Sequence, residues 1–535
     1  MRPPLSGRVD RIVAGLWVVL LACLFISTVV SIPAFPGRDS SVFIYVGDGL
    51  LDGALPYIDR WDHKPPLVFL LDAIALSLSD GSLWGIWVME ALFLLAVTLI
   101  AFTTISRVFG QLIGGFAVSM LLLQFGQFLD GGNLTEEYAL LFQFLAVQVF
   151  LRTINSKLVG FSSAIALGVL GAFSFLLKPS LIGIWLGIGC YWLMAHPWNH
   201  TIRLVGNAVV GATIVFALFA AYLLSFSSGT VFVDAVFSYS LAYTNEISVA
   251  QRFDVILALF ETSALAEIAL VTWLIGVILV VTDSSRNKLM DAILKLALVL
   301  VPIELILIST SGRSYLHYYL TSLPTMTLLF ALFGYQLHSM STWFLPFLNE
   351  SKNLQTFAKA SVLFLPLLLV SSQVASIHPT FMENLRKGTS VVLGDTPPFT
   401  TNDHTLVVEA IRRGSFPQDP ILVWGAEPQI YFFSKRKAPT RFFYQYPLVT
   451  PGYNTDQVFE GFLASLTNDN PVFVVDTYNP YLPPLDPVAR LNWPGPAEPY
   501  VYDQAKFEDF FAWFNRNYDL KETINNFTIY KRADT

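Results

Sequence analysis

The sequence predicts a polytopic α-helical membrane protein with a small extracytoplasmic α/β domain at its C-terminal end. Three observations carry this. Of 535 residues, 54% are hydrophobic and only 13% charged, against about 25% charged in an ordinary soluble domain. Apolar runs long enough to cross a hydrocarbon core about 30 Å thick recur along the first two-thirds of the chain. The charge is unevenly placed, at about one residue in ten over 1–377 and about one in five over 378–535, so two regions face different solvents.

The N-terminus places Arg2, Arg8 and Arg11 before an apolar run from Ile12 to Ile32. That run is too long for a signal-peptide core, and Ser31-Ile32-Pro33-Ala34-Phe35 lacks a small-x-small cleavage site, so it reads as a retained first span. Further runs at 83–105, 111–129, 137–151, 162–177, 180–195, 204–226, 262–282, 291–309, 315–337 and 357–377 bring the expectation to about eleven transmembrane helices. Every second connection carries Lys or Arg: Arg107, Arg152 with Lys157, Arg203, Arg286 with Lys288, and Lys352. Basic residues stay in the cytoplasm, so the N-terminus is expected inside and the C-terminal domain outside.

The first outer segment, 33–82, is unusually long and holds Asp39, Asp48, Asp52, Asp59, Asp62, Asp72 and Asp80. Long loops in compact proteins are commonly functional. Ser41–Leu51 has helical apolar spacing, and Pro66–Leu78 is an apolar helix too short to span, as expected of a segment at the interface. From 378 onward, short β-rich runs at Ile421–Trp424 and Val472–Val475 alternate with turns, ahead of the aromatic stretch Phe507–Tyr518. The organisation expected is a transmembrane domain over 1–377 and an α/β domain over 378–535.

Several function classes drop out. The net charge of −7 and the absence of a long basic run give no footprint for nucleic acid. Cys23 and Cys190 have neither partner nor metal-ligand spacing, which excludes a disulfide framework, and each reads as a small apolar core residue. No cofactor is implied. The outer loop lacks an Asp-x-Asp pair, while its carboxylates leave room for a divalent ion. In the tail, His404, Glu409, Asp419 and Glu427 lack ligand spacing and read as surface residues.

Four stretches carry candidate chemistry. Asp39 is placed either to cap a helix beginning at Ser40 or to act as a partly desolvated general base, and the roles are compatible. In Trp61-Asp62-His63-Lys64-Pro65-Pro66, the prolines suit a helix start, so Lys64 beside a positive helix terminus makes an anion site; a lysine snorkelling to headgroups is the alternative. Asn133-Leu134-Thr135-Glu136-Glu137 has the form of a capping box with Asn133 as cap, although two adjacent carboxylates at a membrane surface also suit a polar cavity. Arg313 and His317, four apart, are expected on one helical face where they suit a phosphodiester, against the reading of an anchored belt of Tyr315, Tyr318 and Tyr319. Lys178-Pro179 could be a snorkelling helix end.

Together, Arg38-Asp39, Gly53–Asp59, His63-Lys64-Pro65-Pro66, Thr135-Glu136-Glu137, Leu177-Lys178-Pro179 and Gly312–Tyr319 resemble the bacterial glycosyltransferases related to protein O-mannosyltransferases and aminoarabinose transferases (glycosyltransferase family 39-like), over residues 1 to about 340. The resemblance implies a GT-C fold, a polyprenyl-phosphate-linked sugar as donor, and hexosyl or pentosyl transfer at the outer face of the cell membrane to a glycan, lipid or protein hydroxyl. It maps the catalytic base to Asp39 and the donor-phosphate site to Lys64, with Arg313 and His317 as further phosphate partners. Glu136, Glu137, Asp59, His63 and Lys178 follow as acceptor or supporting residues. Where the family commonly has Asp-Glu after the first span, Asp39 is followed by Ser40. The competing expectation is a transporter or lipid flippase, for which Glu90, Glu267 and Glu304, in or near spans, would be the functional groups.

Overall fold

A computed structural model describes residues 8–31, 36–154, 160–226, 229–245, 247–282, 286–344, 379–393 and 402–533. The chain divides into two compact units: Met1–Pro33, Trp87–Ala217 and Ala250–Thr396 form the first, and Ala34–Ile86, Leu218–Val249 and Pro397–Thr535 the second.

Among the described residues, seven helices are long and apolar enough to cross a membrane: Leu83–Phe109, Gln111–Phe128, Thr135–Ile154, Trp198–Ser225, Ala264–Thr282, Lys288–Ser309 and Leu316–Ser339. Gly15–Val30, Phe161–Leu177 and Pro179–Ala195 are shorter apolar helices where the sequence predicts spans. The span expected at 357–377 lies outside the described residues. The first unit's core runs from Trp17 and Leu94 through Phe125, Phe144 and Ile188 to Leu300 and Leu329. Tryptophans at its edge donate to backbone carbonyls, Trp87 to Val29 at 2.9 Å and Trp185 to Leu167 at 2.7 Å, since a buried indole N–H needs a partner. Ile278 and Val281 point outward, an arrangement that suits hydrocarbon as solvent. Cys23 is exposed and Cys190 half-buried, so neither is a core residue; an apolar thiol is tolerated on a lipid-facing surface.

The second unit combines the first loop with the C-terminal segment. Helices Arg38–Leu51 and Leu67–Leu78 pack directly against each other. They approach closest at Gly47, where a Cβ would stand 2.7 Å from that of Asp72. Only glycine permits that crossing. The C-terminal segment forms a four-stranded sheet from β1 (Ile421–Trp424), β2 (Phe473–Asp476), β3 (Tyr518–Ile524) and β4 (Phe527–Arg532), in the order β1-β2-β4-β3. Strands β1 and β2 are parallel and joined through helix Asp456–Asp469, while β4 runs antiparallel to both its neighbours. Both parallel strands are buried throughout, as expected of strands covered on two faces. Helix Gln504–Asn517 supplies part of that cover, with Phe510 stacked on Trp424 at 4.4 Å between ring centroids.

Backbone and aromatic contacts knit loop to tail. Trp61 N–H donates to the Arg441 carbonyl at 2.9 Å, and Ala438 N–H donates to the Tyr45 hydroxyl at 3.0 Å. The Tyr45 ring packs on Tyr431 and Phe443 and carries the Arg60 guanidinium 3.9 Å from its centroid. Residues 229–245 join through Tyr239, whose ring meets Trp61 at 4.8 Å and Tyr453 at 5.1 Å.

Candidate active site

In the second unit, Asp59, His63 and Lys64 lie on the loop between the two packed helices, and Asp39 lies in the first turn of the helix before it. Helix Arg38–Leu51 begins two residues earlier than expected, with Gly37 at the cap and Asp39 in the first turn. Asp39 is therefore not the cap. Pro36-Gly37 supplies extended backbone that lets the helix start at once, and Ser41 Oγ donates back to the Gly37 carbonyl at 2.7 Å. A carboxylate in a helix's first turn is favoured by the macrodipole. Its charge is felt at His63 and at Tyr444.

Asp62, His63 and Lys64 form a compact chain of polar contacts. Asp62 is buried; it accepts from the Tyr444 hydroxyl at 2.6 Å and from the Lys64 N–H at 3.1 Å. His63 Nδ1 lies 3.4 Å from Asp62 Oδ1, and Lys64 Nζ lies 2.8 Å from His63 Nε2. With Lys64 an ammonium, that contact requires Nε2 to accept and so leaves the imidazole proton on Nδ1, facing the carboxylate. Burial, together with the neighbouring Lys64 charge, holds the His63 imidazole below its ordinary value. Burial alone would push the Asp62 carboxyl up, but His63, Lys64 and the Tyr444 hydroxyl outweigh it and hold it low. Lys64 is only 6% exposed, and the Tyr57 hydroxyl donates to its carbonyl at 2.9 Å. Two residues on, helix Leu67–Leu78 begins at Pro66 with no side chain capping it.

Asp59 sits on the other side of this loop. It is exposed, accepts from the Leu55 N–H at 2.7 Å, and lines a cavity of about 1100 Å³ together with Arg60, Arg441 and Tyr453. Neither Asp39 nor Lys64 lines that cavity.

In the first unit, Lys178, Glu136, His317 and their aromatic neighbours form a second cluster. Lys178 Nζ donates to Glu136 Oε1 at 2.6 Å and lies 3.7 Å from the Tyr318 ring centroid. Lys178 is thus an ion-pair partner, not a free snorkelling end. His317 Nδ1 stands 3.4 Å from Asp130 Oδ2, with its ring parallel to that of Tyr315. Arg313 does not share a helical face with His317. Gly312 adopts a positive φ of 61° and Tyr315 is extended, so the helix starts only at Leu316, in 3₁₀ form. Arg313 lies in the preceding turn, where its N–H donates to Ser311 Oγ at 3.3 Å.

The capping box at Asn133 is also replaced. Asn133 has left-handed backbone, φ 55°, its Oδ1 accepts from the Tyr138 hydroxyl, and its N–H donates to Glu90. Helix Thr135–Ile154 starts earlier than expected, and Glu137, not Glu136, accepts from a backbone N–H, that of Leu134 at 3.4 Å. Glu136 and Glu137 are both buried, and the Glu137 carboxyl also meets that of Glu90. Glu304 is buried against Gly183. In the tail, His404 Nε2 lies 3.1 Å from Glu427 Oε2, so these two are paired and not simple surface residues. Among the described residues, no three His, Cys, Asp or Glu side chains are grouped to hold a metal ion.

Sequence reasoning passed over Asp62, although it stands within the quoted motif, and had no means of finding Tyr444. The motif does show a carboxylate beside a histidine and a lysine; the hydroxyl that completes the group comes from far along the chain.

Residues 63–224 match the family model described as dolichyl-phosphate-mannose-protein mannosyltransferase. No curated protein sequence matches the chain. Among solved structures, ArnT from Cupriavidus metallidurans bound to undecaprenyl phosphate superposes with a TM-score of 0.59 at 13% identity, covering 97% of this chain and 98% of that one. This is the GT-C fold. The apo form of the same ArnT gives a TM-score of 0.58 at 12% identity, covering 96% and 97% of the two chains. The archaeal oligosaccharyltransferase AglB from Archaeoglobus fulgidus, in complex with an inhibitory peptide and a dolichol-phosphate, gives 0.50 at 11% identity, covering 86% of this chain and 69% of that one. The family model matches less than a third of the chain, and the structural likeness is one of fold: a multi-pass helical membrane architecture shared with ArnT and AglB. The matched family segment contains His63, Lys64, Glu136, Glu137 and Lys178.

Proposed function

We propose that this GT-C protein transfers a sugar from a polyprenyl-phosphate carrier to an acceptor hydroxyl on the extracytoplasmic face, with inversion at the anomeric carbon. In this reading the N-terminus is cytoplasmic, and residues 1–377 form the catalytic membrane domain with 378–535 as its extracytoplasmic partner. The observation that carries the reading is the buried ammonium of Lys64, 2.8 Å from His63 Nε2 and two residues before an uncapped helix start. A buried cation at a helix N-terminus suits a phosphate.

The reaction needs few parts. The acceptor oxygen attacks the anomeric carbon, the bond from that carbon to the phosphate oxygen breaks, and the polyprenyl phosphate leaves with the electron pair. Lys64 offsets the developing charge, and one such preorganised donor is worth about 10²–10³-fold. Asp39 takes the acceptor's proton, worth about 10²–10⁴-fold. His63 orients Lys64, and Glu136, Glu137, Lys178 and Asp59 serve as acceptor or supporting residues.

The test uses purified protein with a labelled polyprenyl-phosphate sugar. Asp39→Asn is expected to lower transfer by about 10²–10⁴-fold at normal protein levels while the lipid phosphate still binds. Full activity in that variant would remove Asp39 as the base. Movement of the intact lipid across sealed vesicles with no loss of sugar would make the protein a flippase.

A further inference from the structure

The second unit contains a large polar groove of which the reaction above uses Asp59 alone. Its volume is about 1100 Å³, at the upper end of the roughly 300–1,000 Å³ typical of small-molecule sites. Its walls come from three stretches far apart in sequence: the loop residues Asp52–Arg60, the segment with Asp234 and Ser238, and the tail from Lys437 to Asp469. We propose that this groove binds the saccharide portion of an acceptor, a neutral oligosaccharide or the glycan part of a glycoconjugate. The inference rests on the glycosyltransferase reading and names the class of molecule that receives the sugar.

Charge and ring chemistry decide the class. Acidic and basic side chains both line the groove, and several already answer one another. Lys437 Nζ lies 3.6 Å from Asp52 Oδ2, Arg60 is held on the Tyr45 ring and carbonyl, and Asp234 accepts from the Tyr453 hydroxyl at 2.6 Å. A phosphorylated ligand would need cations in excess of carboxylates. A sugar hydroxyl both donates and accepts, so it is satisfied by carboxylate, guanidinium and amide groups placed side by side. Gln457, Asp59 and Arg441 supply such groups, while Phe442 and Tyr453 line the groove as largely buried rings, with the Arg441 guanidinium over the Phe442 ring.

The groove also communicates with the candidate active site through a shared wall. The Trp61 ring contacts Phe442 at 5.7 Å and Tyr453 at 6.0 Å on the groove side, and His63 at 6.3 Å on the other. A saccharide against those two aromatics therefore lies one side chain away from the Asp62–His63–Lys64 group.

Gly461 gives a clean test. It lines the groove from helix Asp456–Asp469, and a Cβ built there meets nothing within 4 Å. The space beside it is open to a larger side chain that narrows the groove, and replacing a helical glycine favours the helix. Saturation-transfer difference NMR would be run on the full chain in detergent with neutral oligosaccharides of about two to six hexose or N-acetylhexosamine units, a threonine-rich peptide and inorganic phosphate as probes. The expected result is saturation transfer to the oligosaccharides alone, reduced at least tenfold by Gly461→Phe and severalfold by Gln457→Ala. Release of polyprenyl phosphate from the donor by water should be unchanged in both variants. An oligosaccharide signal that survives Gly461→Phe, its absence in the wild type, or a signal from the peptide or phosphate in its place would overturn the proposal. If the donor is not turned over by the wild type, the transferase reading fails while saccharide binding is judged separately.

Discussion

The hydroxyl of Tyr444 donates to the buried carboxylate of Asp62 at 2.6 Å across 382 residues of sequence. The same carboxylate accepts from the Lys64 N–H and lies beside His63. One long-range bond therefore holds the segment that presents Lys64. Removing it in Tyr444→Phe leaves a buried carboxylate short of a donor, which costs about 1–3 kcal/mol. The variant should unfold earlier in a denaturant titration and, by freeing the loop, raise the KM for the donor more than it lowers kcat. A melt and KM equal to wild type would show that the bond is incidental.

Lys64→Ala tests the phosphate role directly. Loss of one preorganised cation should reduce transfer by about 10²–10³-fold, with the melting temperature little altered, because the half-buried His63 still lies beside the Asp62 carboxylate. Lys64→Arg should restore only part of the rate, since a planar guanidinium cannot occupy the position of an ammonium 2.8 Å from His63 Nε2. The measurement is sugar release from labelled donor in detergent, and wild-type rates in Lys64→Ala would exclude the assignment.

The half-buried imidazole predicts an acid limb. His63 is held below its ordinary value of 6.5 by burial and by Lys64. Just below that pH the unfolded chain binds more protons than the folded one, so stability falls as the pH drops through that window and is flat above it. Protonation would also place two cations side by side and expel Lys64 from its seat. The slope of melting temperature against pH below 6.5 should flatten in His63→Gln; an unchanged slope would place the titration elsewhere.

Glu136 and Lys178 should behave as a unit. Their contact is 2.6 Å, with Glu136 only 2% exposed. Breaking a buried pair by removing one partner costs about 3–5 kcal/mol, whereas replacing both costs much less. Glu136→Gln or Lys178→Met alone should therefore destabilise the protein more than the double variant, as measured by thermal inactivation in micelles. Additive effects would mean that the two groups are not coupled.

Helix positions were legible because a hydrocarbon solvent leaves a long, continuous signal. The length and acidity of residues 33–82 also marked the loop that carries Asp39 and Lys64. What was not legible were local departures from regular helix and partners far along the chain. Arg313 and His317 have helical spacing, but residues 313–315 are non-helical and the helix starts only at Leu316, after an extended Tyr315. Asn133 looks like a cap, yet its left-handed backbone turns its amide oxygen to Tyr138. Composition separates the tail from the first 377 residues, while packing joins it to residues 34–86 and 218–249. Nothing in a hydropathy profile records that the Trp61 backbone pairs with Arg441, or that Tyr45 is clasped by Arg60 and Phe443.

This joining sets an order on the protein's biogenesis. A ribosome completes Lys64 long before it reaches Tyr444, so the nascent loop passes most of translation without the residues that shape it. A premature stop ahead of Tyr444 would yield an inserted but inert product, and competence would switch on late, once nearly the entire polypeptide has been made.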